Sequence, residues 1–219
     1  VPEAVFRIAL PLLWIALVAA IAANRWQLRR RLGRDPIVAR PGRKAETPAG
    51  YLEIALSVCA LLATLDIALN ALAPGTVADN LAFKALRASR AAGLLGLGLI
   101  ASGCALTITA VRQMSVSWRI GIDRLAPGPL VSRGLYARVR HPIYTGMLLA
   151  TTGLAGLTAD ALSVAVATAA WVGLPVQARL EEAFLLSRHP EEYPEYLART
   201  GRFLPRIWAG TRESERSSS

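Results

Sequence analysis

Two histidines stand in the whole 219-residue chain, and both sit in the same tripeptide, Arg140-His141-Pro142 and Arg188-His189-Pro190. The first copy opens an apolar run, "RHPIYTGMLL", with Tyr144 three residues beyond His141 and so on the same face of a helix begun at Pro142. A proline at the first helical position makes His141 a boundary residue beside amide groups that have no acceptor inside the helix. With Arg138 and Arg140 just before it, that helix end attracts anions. Gly146 leaves room beside it. Far along the chain, "RLEE" supplies Arg179, Glu181 and Glu182. Adjacent carboxylates project about 100° apart on a helix, so at most one of the two is expected to face a given pocket.

These groups divide by what they bind. A carboxylate holds ribose hydroxyls or an ammonium group, whereas guanidinium and helix amides hold a carboxylate. The combination suits a zwitterionic ligand that carries a sugar. S-adenosylmethionine, with an amino-acid end, a ribose and a sulfonium, fits; a nicotinamide dinucleotide, with anions and riboses, fits as well. Each element alone has a plainer reading, since a basic boundary tripeptide also serves as a snorkelling anchor and a glutamate pair as a solvated helix face. The second copy illustrates this: "SRHPEEYPEYLAR" reads as a loop, then Pro190 opening a short helix with Glu191 and Glu192 in its first turn, so His189 is expected to be structural or solvated. Cys59 and Cys104 have no CxxC partner, and two histidines exclude a histidine-rich metal cluster, so no metal ligand is assigned.

The elements that must position these groups are membrane helices. The chain is 53% hydrophobic with a mean hydropathy of +0.39, and its charges are collected in blocks. A bilayer core needs roughly 20 apolar residues per helix. Residues 5 to 23, 50 to 72, 91 to 111 and 161 to 176 qualify, and a shorter fifth segment covers 142 to 157. The expectation is an all-α polytopic integral membrane protein with about five spans, the first a retained anchor rather than a cleaved leader. Glu53 and Asp66 fall within the second span; Glu53 is expected near the interface and Asp66 facing protein or protonated. The glycines of the third span, Gly93, Gly96, Gly98 and Gly103, suit close helix packing, within the chain or between chains.

Orientation follows from Lys and Arg: eight in 24 to 49, six in 112 to 141 and seven from 177 onward, against one near the N-terminus, three in 73 to 90 and none in 158 to 160. The N-terminus should face outward and the C-terminus the cytoplasm. The net charge of +10 is then topology and attraction to anionic membrane lipids, and nucleic acid need not be invoked. Three regions are expected: 1 to 90, a transmembrane scaffold of two spans with a basic cytoplasmic loop; 91 to 208, the site-bearing region; and 209 to 219, a disordered tail. The turn "TAD" between the last two spans forces them antiparallel, which brings His141 and Tyr144 beside Arg179, Glu181 and Glu182.

The ordered set "WRIG", "LVSRGLYARVRHPIYTG", a short hairpin, "RLEEAFLL", "EEYPEYLAR" and "FLP" resembles the isoprenylcysteine carboxyl methyltransferase family of integral membrane methyltransferases, over roughly 112 to 205. The resemblance implies a multi-span helical fold whose cytoplasmic ends close over S-adenosylmethionine while a lipophilic or lipid-modified acceptor enters between spans. It implies cofactor contacts from Leu130, Val131, Gly134, Arg140, His141, Pro142, Tyr144 and Glu181, with the segment from Leu130 to Gly134 offering backbone to the adenosine part. Arg199 and Tyr196 look like a lid. Arg179 and Arg199 are candidates for steering an acceptor carboxylate, and Glu182 or His141 for taking a proton from an amine or thiol.

Direct methyl transfer would draw on positioning and exclusion of water. A prenylated cysteine carboxylate, a lipid amine and a small thiol all remain open as acceptor. The high Ala, Arg and Leu usage resembles that of a GC-rich bacterial gene, so a bacterial inner membrane is expected, and the Lys and Arg distribution puts the active site on its cytoplasmic face. Two other readings stand beside this one: a sterol-reductase-like membrane enzyme using NADPH, which shares an RHPxYxG region, and a non-catalytic membrane protein whose basic loops bind anionic lipid. Oligomeric state is not encoded in any feature of the sequence.

Overall fold

A computed structural model describes residues 3–32, 48–72, 90–114 and 130–206. The "WRIG" segment, most of the basic first loop, the 73–89 connection and the 209–219 tail lie outside the described residues. The protein is an all-α polytopic membrane protein. Its elements are α1 (Glu3–Leu32), α2 (Pro48–Leu72), α3 (Arg90–Met114), a single 3-10 turn (Gly134–Ala137), α4 (Pro142–Thr158), α5 (Ala161–Arg188) and α6 (Glu192–Arg199).

Among the described residues four helical stretches are long and apolar enough to cross a membrane: Ile8–Arg31, Ile54–Leu72, Ala91–Met114 and Ala161–Arg188. They carry large apolar side chains on the outside, among them Ile8, Leu12, Ile15, Leu61, Leu95 and Val172, which suits a lipid surround. The expected short segment is the 17-residue α4, about 25 Å long against a hydrocarbon core of about 30 Å. Beyond the apolar stretch that ends at residue 176, α5 runs unbroken to Arg188 despite Pro175, so Gln177, Glu181 and Glu182 ride on the same rod as the membrane-spanning turns. A proline is tolerated in such a helix where neighbouring groups satisfy the freed carbonyl.

Two features of the sequence set how α3, α4 and α5 dock. Gly96 and Gly103 on α3 face Gly153 and Gly146 on α4 in antiparallel register. A Cβ at Gly103 would come within 2.5 Å of the Gly146 carbonyl, and one at Gly96 within 2.8 Å of the Gly153 carbonyl. These glycines therefore pack within the chain, whereas nothing lies within 4 Å of a Cβ at Gly98. The α4–α5 hairpin turns at Ala159, in the left-handed region at φ 47, and Asp160 caps α5 by accepting from the Ser163 amide at 2.8 Å.

At that end of the molecule Asn70 of α2 donates to both Asp66 (3.2 Å) and Asp160 (3.3 Å), so the fully buried Asp66 faces protein, as its depth in the span required. One apolar cluster, including Leu10, Ala63, Ile100, Leu154 and Val166, joins all five long helices.

After α6 the chain turns back. Thr200 to Phe203 lies against the start of α4, with Arg140 N donating to Gly201 O (2.8 Å), His141 N to Arg202 O (3.0 Å) and Gly201 N to Arg138 O (3.1 Å). Thr145 Oγ1 adds a bond to Phe203 O at 2.8 Å. This clasp closes the end of the hairpin opposite Asp160.

Candidate active site

His141 is placed by backbone. It is the N-cap of α4 with Pro142 at the first helical position, and its carbonyl accepts from Thr145 N at 3.0 Å. Pro142 has no N–H, so the amides of Ile143 and Tyr144 remain without an acceptor inside the helix, the feature that makes a helix start attractive to anions. The imidazole is 7% exposed. It stacks on Tyr144, centroids 5.3 Å apart and planes 6° apart, and meets Phe203 at 6.1 Å.

The hairpin delivers both glutamates to this ring. Glu181 Oε2 lies 3.7 Å from His141 Nδ1, and Glu182 Oε1 lies 3.3 Å from Nε2. Both acids reach the ring because His141 sits over the seam between the two positions, one nitrogen toward each. The two acids nonetheless differ in what surrounds them.

Glu182 is only 10% exposed and tied to two guanidiniums, Arg140 Nε at 2.9 Å and Arg202 through Nε at 3.0 Å and Nη2 at 2.5 Å. Arg140 continues to the carbonyl and hydroxyl of Thr200. Glu182 is thus the centre of a charge-assisted knot that binds α4, α5 and the clasp together. Its bond to Arg202 holds that guanidinium's pKa above its ordinary value. Glu181 is 26% exposed and accepts, at Oε1, from the Tyr144 hydroxyl and from Gln177 Nε2 at 3.2 Å. Its Oε2 has no guanidinium partner among the described residues. Glu181 is accordingly the acid placed to meet a ligand, and Glu182 the one placed to hold the fold.

Around the cluster, buried tyrosines act as struts. Tyr196 OH donates to Tyr136 O at 2.8 Å, and burial pushes its phenol pKa up to about 12. Tyr136 and Tyr193 are raised further, again mainly by burial. Gly134 adopts φ +63 in the 3-10 turn, where a Cβ would collide with the Gln113 side chain; Leu135 N donates to Gln113 Oε1 at 2.7 Å. Leu130 and Val131 are half-buried residues leading into that turn.

The structure does not bring Arg179 or Arg199 into the cluster. Arg179 is exposed, and Arg199, 52% exposed, pairs with Glu195 at 3.5 Å over the Tyr196 ring. Tyr196 is 2% exposed and internal rather than a mobile cover. The expected anion-attracting role of Arg140 is likewise revised, since its guanidinium is committed to Glu182 and Thr200. His189 is a boundary residue, its amide donating to Leu185 O at the end of α5. Sequence reasoning missed Arg202, Gln177 and Phe203. Arg202 and Phe203 reach the site only through the backbone return. Gln177 could have been found from its place one helical turn before Glu181.

Residues 91–192 match the family model described as phospholipid methyltransferase. The cobalt-zinc-cadmium resistance protein CzcN of Cupriavidus metallidurans is 34% identical over 119 residues, 52% of this chain and 48% of that protein. Methanethiol S-methyltransferase 2 of Bradyrhizobium diazoefficiens is 34% identical over 84 residues, 38% of this chain and 32% of that protein. The chain thus spans about half of the first relative and about a third of the second. A solved structure of the eukaryotic intramembrane Ras methyltransferase ICMT (isoprenylcysteine carboxyl methyltransferase) is 21% identical with a TM-score of 0.48, covering 78% of this chain and 55% of that one. The stretch that carries His141, Tyr144, Glu181 and Glu182 therefore lies within the region of this all-α membrane chain that is similar to the phospholipid methyltransferase family.

Proposed function

We propose that this protein transfers a methyl group from S-adenosylmethionine to a lipophilic acceptor at the cytoplasmic face of a bacterial inner membrane. The observation that carries the reading is the pairing of a cation-seeking carboxylate with an anion-seeking helix start. Glu181, held in orientation by Tyr144 and Gln177, lies 3.7 Å from the ring of His141, the residue that caps the start of α4. A zwitterion with a ribose needs those two ends. The donor set fits the cofactor. Bound there, S-adenosylmethionine supplies a methyl group already activated on sulfur.

The chain's own residues do the rest. Glu181 holds ammonium or ribose hydroxyls, and the α4 amides hold the carboxylate. His141, Tyr144 and Phe203 present aromatic faces that favour a cationic ligand and exclude water. Glu182 acts at one remove, holding Arg140 and the clasp in place. With its lone pairs taken by two guanidiniums it is a poor proton acceptor, so a proton leaving the acceptor passes to Glu181 or His141. Rate comes mainly from holding the nucleophile in line with the methyl group. The basic loops set the N-terminus outward, and α4 serves as a short fifth span.

The test uses purified protein in lipid nanodiscs with methyl-labelled S-adenosylmethionine and a total lipid extract. Label is expected in an organic-soluble product and lost in the double variant His141→Ala, Glu181→Ala. Absence of both label and cofactor binding in the unaltered protein would refute the proposal.

A further inference from the structure

Gln177 has no role in the family resemblance, yet its chemistry bears on the acceptor. It is 2% exposed and lies on the buried face of α5, one turn from the apolar Leu174 and one turn from Glu181. Its Nε2 donates to Glu181 Oε1 at 3.2 Å. A carboxylate oxygen only accepts, so the amide must turn its NH2 that way, which fixes the carbonyl end. Oε1 is then a buried acceptor with no donor among the described residues. An unmet buried acceptor is costly unless a ligand group satisfies it.

Resting on the methyl-transfer reading, we infer that Gln177 Oε1 accepts a hydrogen bond from the nucleophile, so that the acceptor's head is protic, a thiol or an amine, and not a carboxylate. Position supports this: Gln177 lies on the membrane-interior side of Glu181, where a lipophilic acceptor would present its head. Charge supports it independently. Both guanidiniums of the cluster, Arg140 and Arg202, are committed to Glu182, and Arg179 and Arg199 are exposed outside it. A carboxylate head would meet the Gln177 carbonyl and Glu181, acceptor against acceptor. In the reaction the new bond from sulfur or nitrogen to the methyl carbon forms as the carbon–sulfonium bond breaks. The electron pair of the broken bond stays on the departing sulfur, leaving a neutral thioether, and the head's proton passes to Glu181, which is open to solvent.

The test compares three single-chain acceptors that share one long alkyl tail and end in a thiol, a primary amine or a carboxylate, each given to the nanodisc protein with labelled cofactor. The thiol or the amine should be methylated at least about tenfold faster than the carboxylate. Gln177→Met, similar in volume but without the acceptor, should lower the rate on the protic head by about 3- to 10-fold and narrow that head's advantage over the carboxylate by the same factor. Preference for the carboxylate overturns the inference and leaves the methyl-transfer reading standing. So does cofactor binding with no label on any head, or a Gln177→Met variant that keeps the same preference between heads. Failure to bind the cofactor at all overturns both.

Discussion

Glu182→Gln is the sharpest perturbation of the site because it removes one charge and almost no volume. The carboxylate accepts from Arg140 and Arg202, with side chains 11% and 34% exposed, while its own is 10% exposed. An amide in its place has one acceptor oxygen, and its NH2 is turned toward a guanidinium donor. Breaking a buried pair by removing one partner costs roughly 3–5 kcal/mol. Because a third of Arg202 is in solvent, the lower end applies, and the clasp should lose about 3 kcal/mol, or roughly 150-fold in the closed-to-open ratio. Hydrogen exchange reads this directly: the amides of Arg140, His141 and Gly201, which bond across the clasp, should exchange faster by about that factor, while α3 and the α4 interior stay protected. Glu181→Gln should do the reverse. Its oxygen still accepts from Tyr144 and Gln177, so clasp protection should hold while cofactor affinity drops. Unchanged exchange in Glu182→Gln, or equal effects of the two substitutions, would refute the division of labour between the acids.

The α3–α4 seam should be intolerant in a position-specific way: Gly103→Ala places a Cβ 2.5 Å from a backbone carbonyl and should destabilise by about 2 kcal/mol or more, whereas Gly98→Ala should be neutral, as thermal unfolding in nanodiscs would show. Asp160→Ala removes both the α5 cap and the Asn70 contact and should cost about 1–2 kcal/mol in the same assay. Tyr196 carries a pH signature. Its phenol titrates near 10.0 when free and about 12 in the folded protein, so its contribution is intact below pH 10 and is lost as pH rises from about 10 to about 12. Phenolate absorbance should show a late-titrating tyrosine that Tyr196→Phe removes.

The sequence by itself determined the class of fold and the existence of the site. Hydropathy alone marks the long helices, because only an apolar helix satisfies its backbone inside lipid. The proline at 142 and the three-residue "TAD" place His141, Tyr144 and the Glu181–Glu182 pair at one end of a hairpin, because a turn so short admits only antiparallel neighbours. Local rules of this kind act between residues close in sequence or bound by a single turn.

Tertiary structure decided the partners. Which glutamate is saturated and which is open depends on Arg202, brought by the return of the chain after α6, and nothing near Glu182 in sequence announces it. The same return turned Arg140 from an anion site into a fastening and left Arg179 and Arg199 outside. Charge complementarity is a property of distance, and distance across a clasp is set by packing rather than by spacing along the chain.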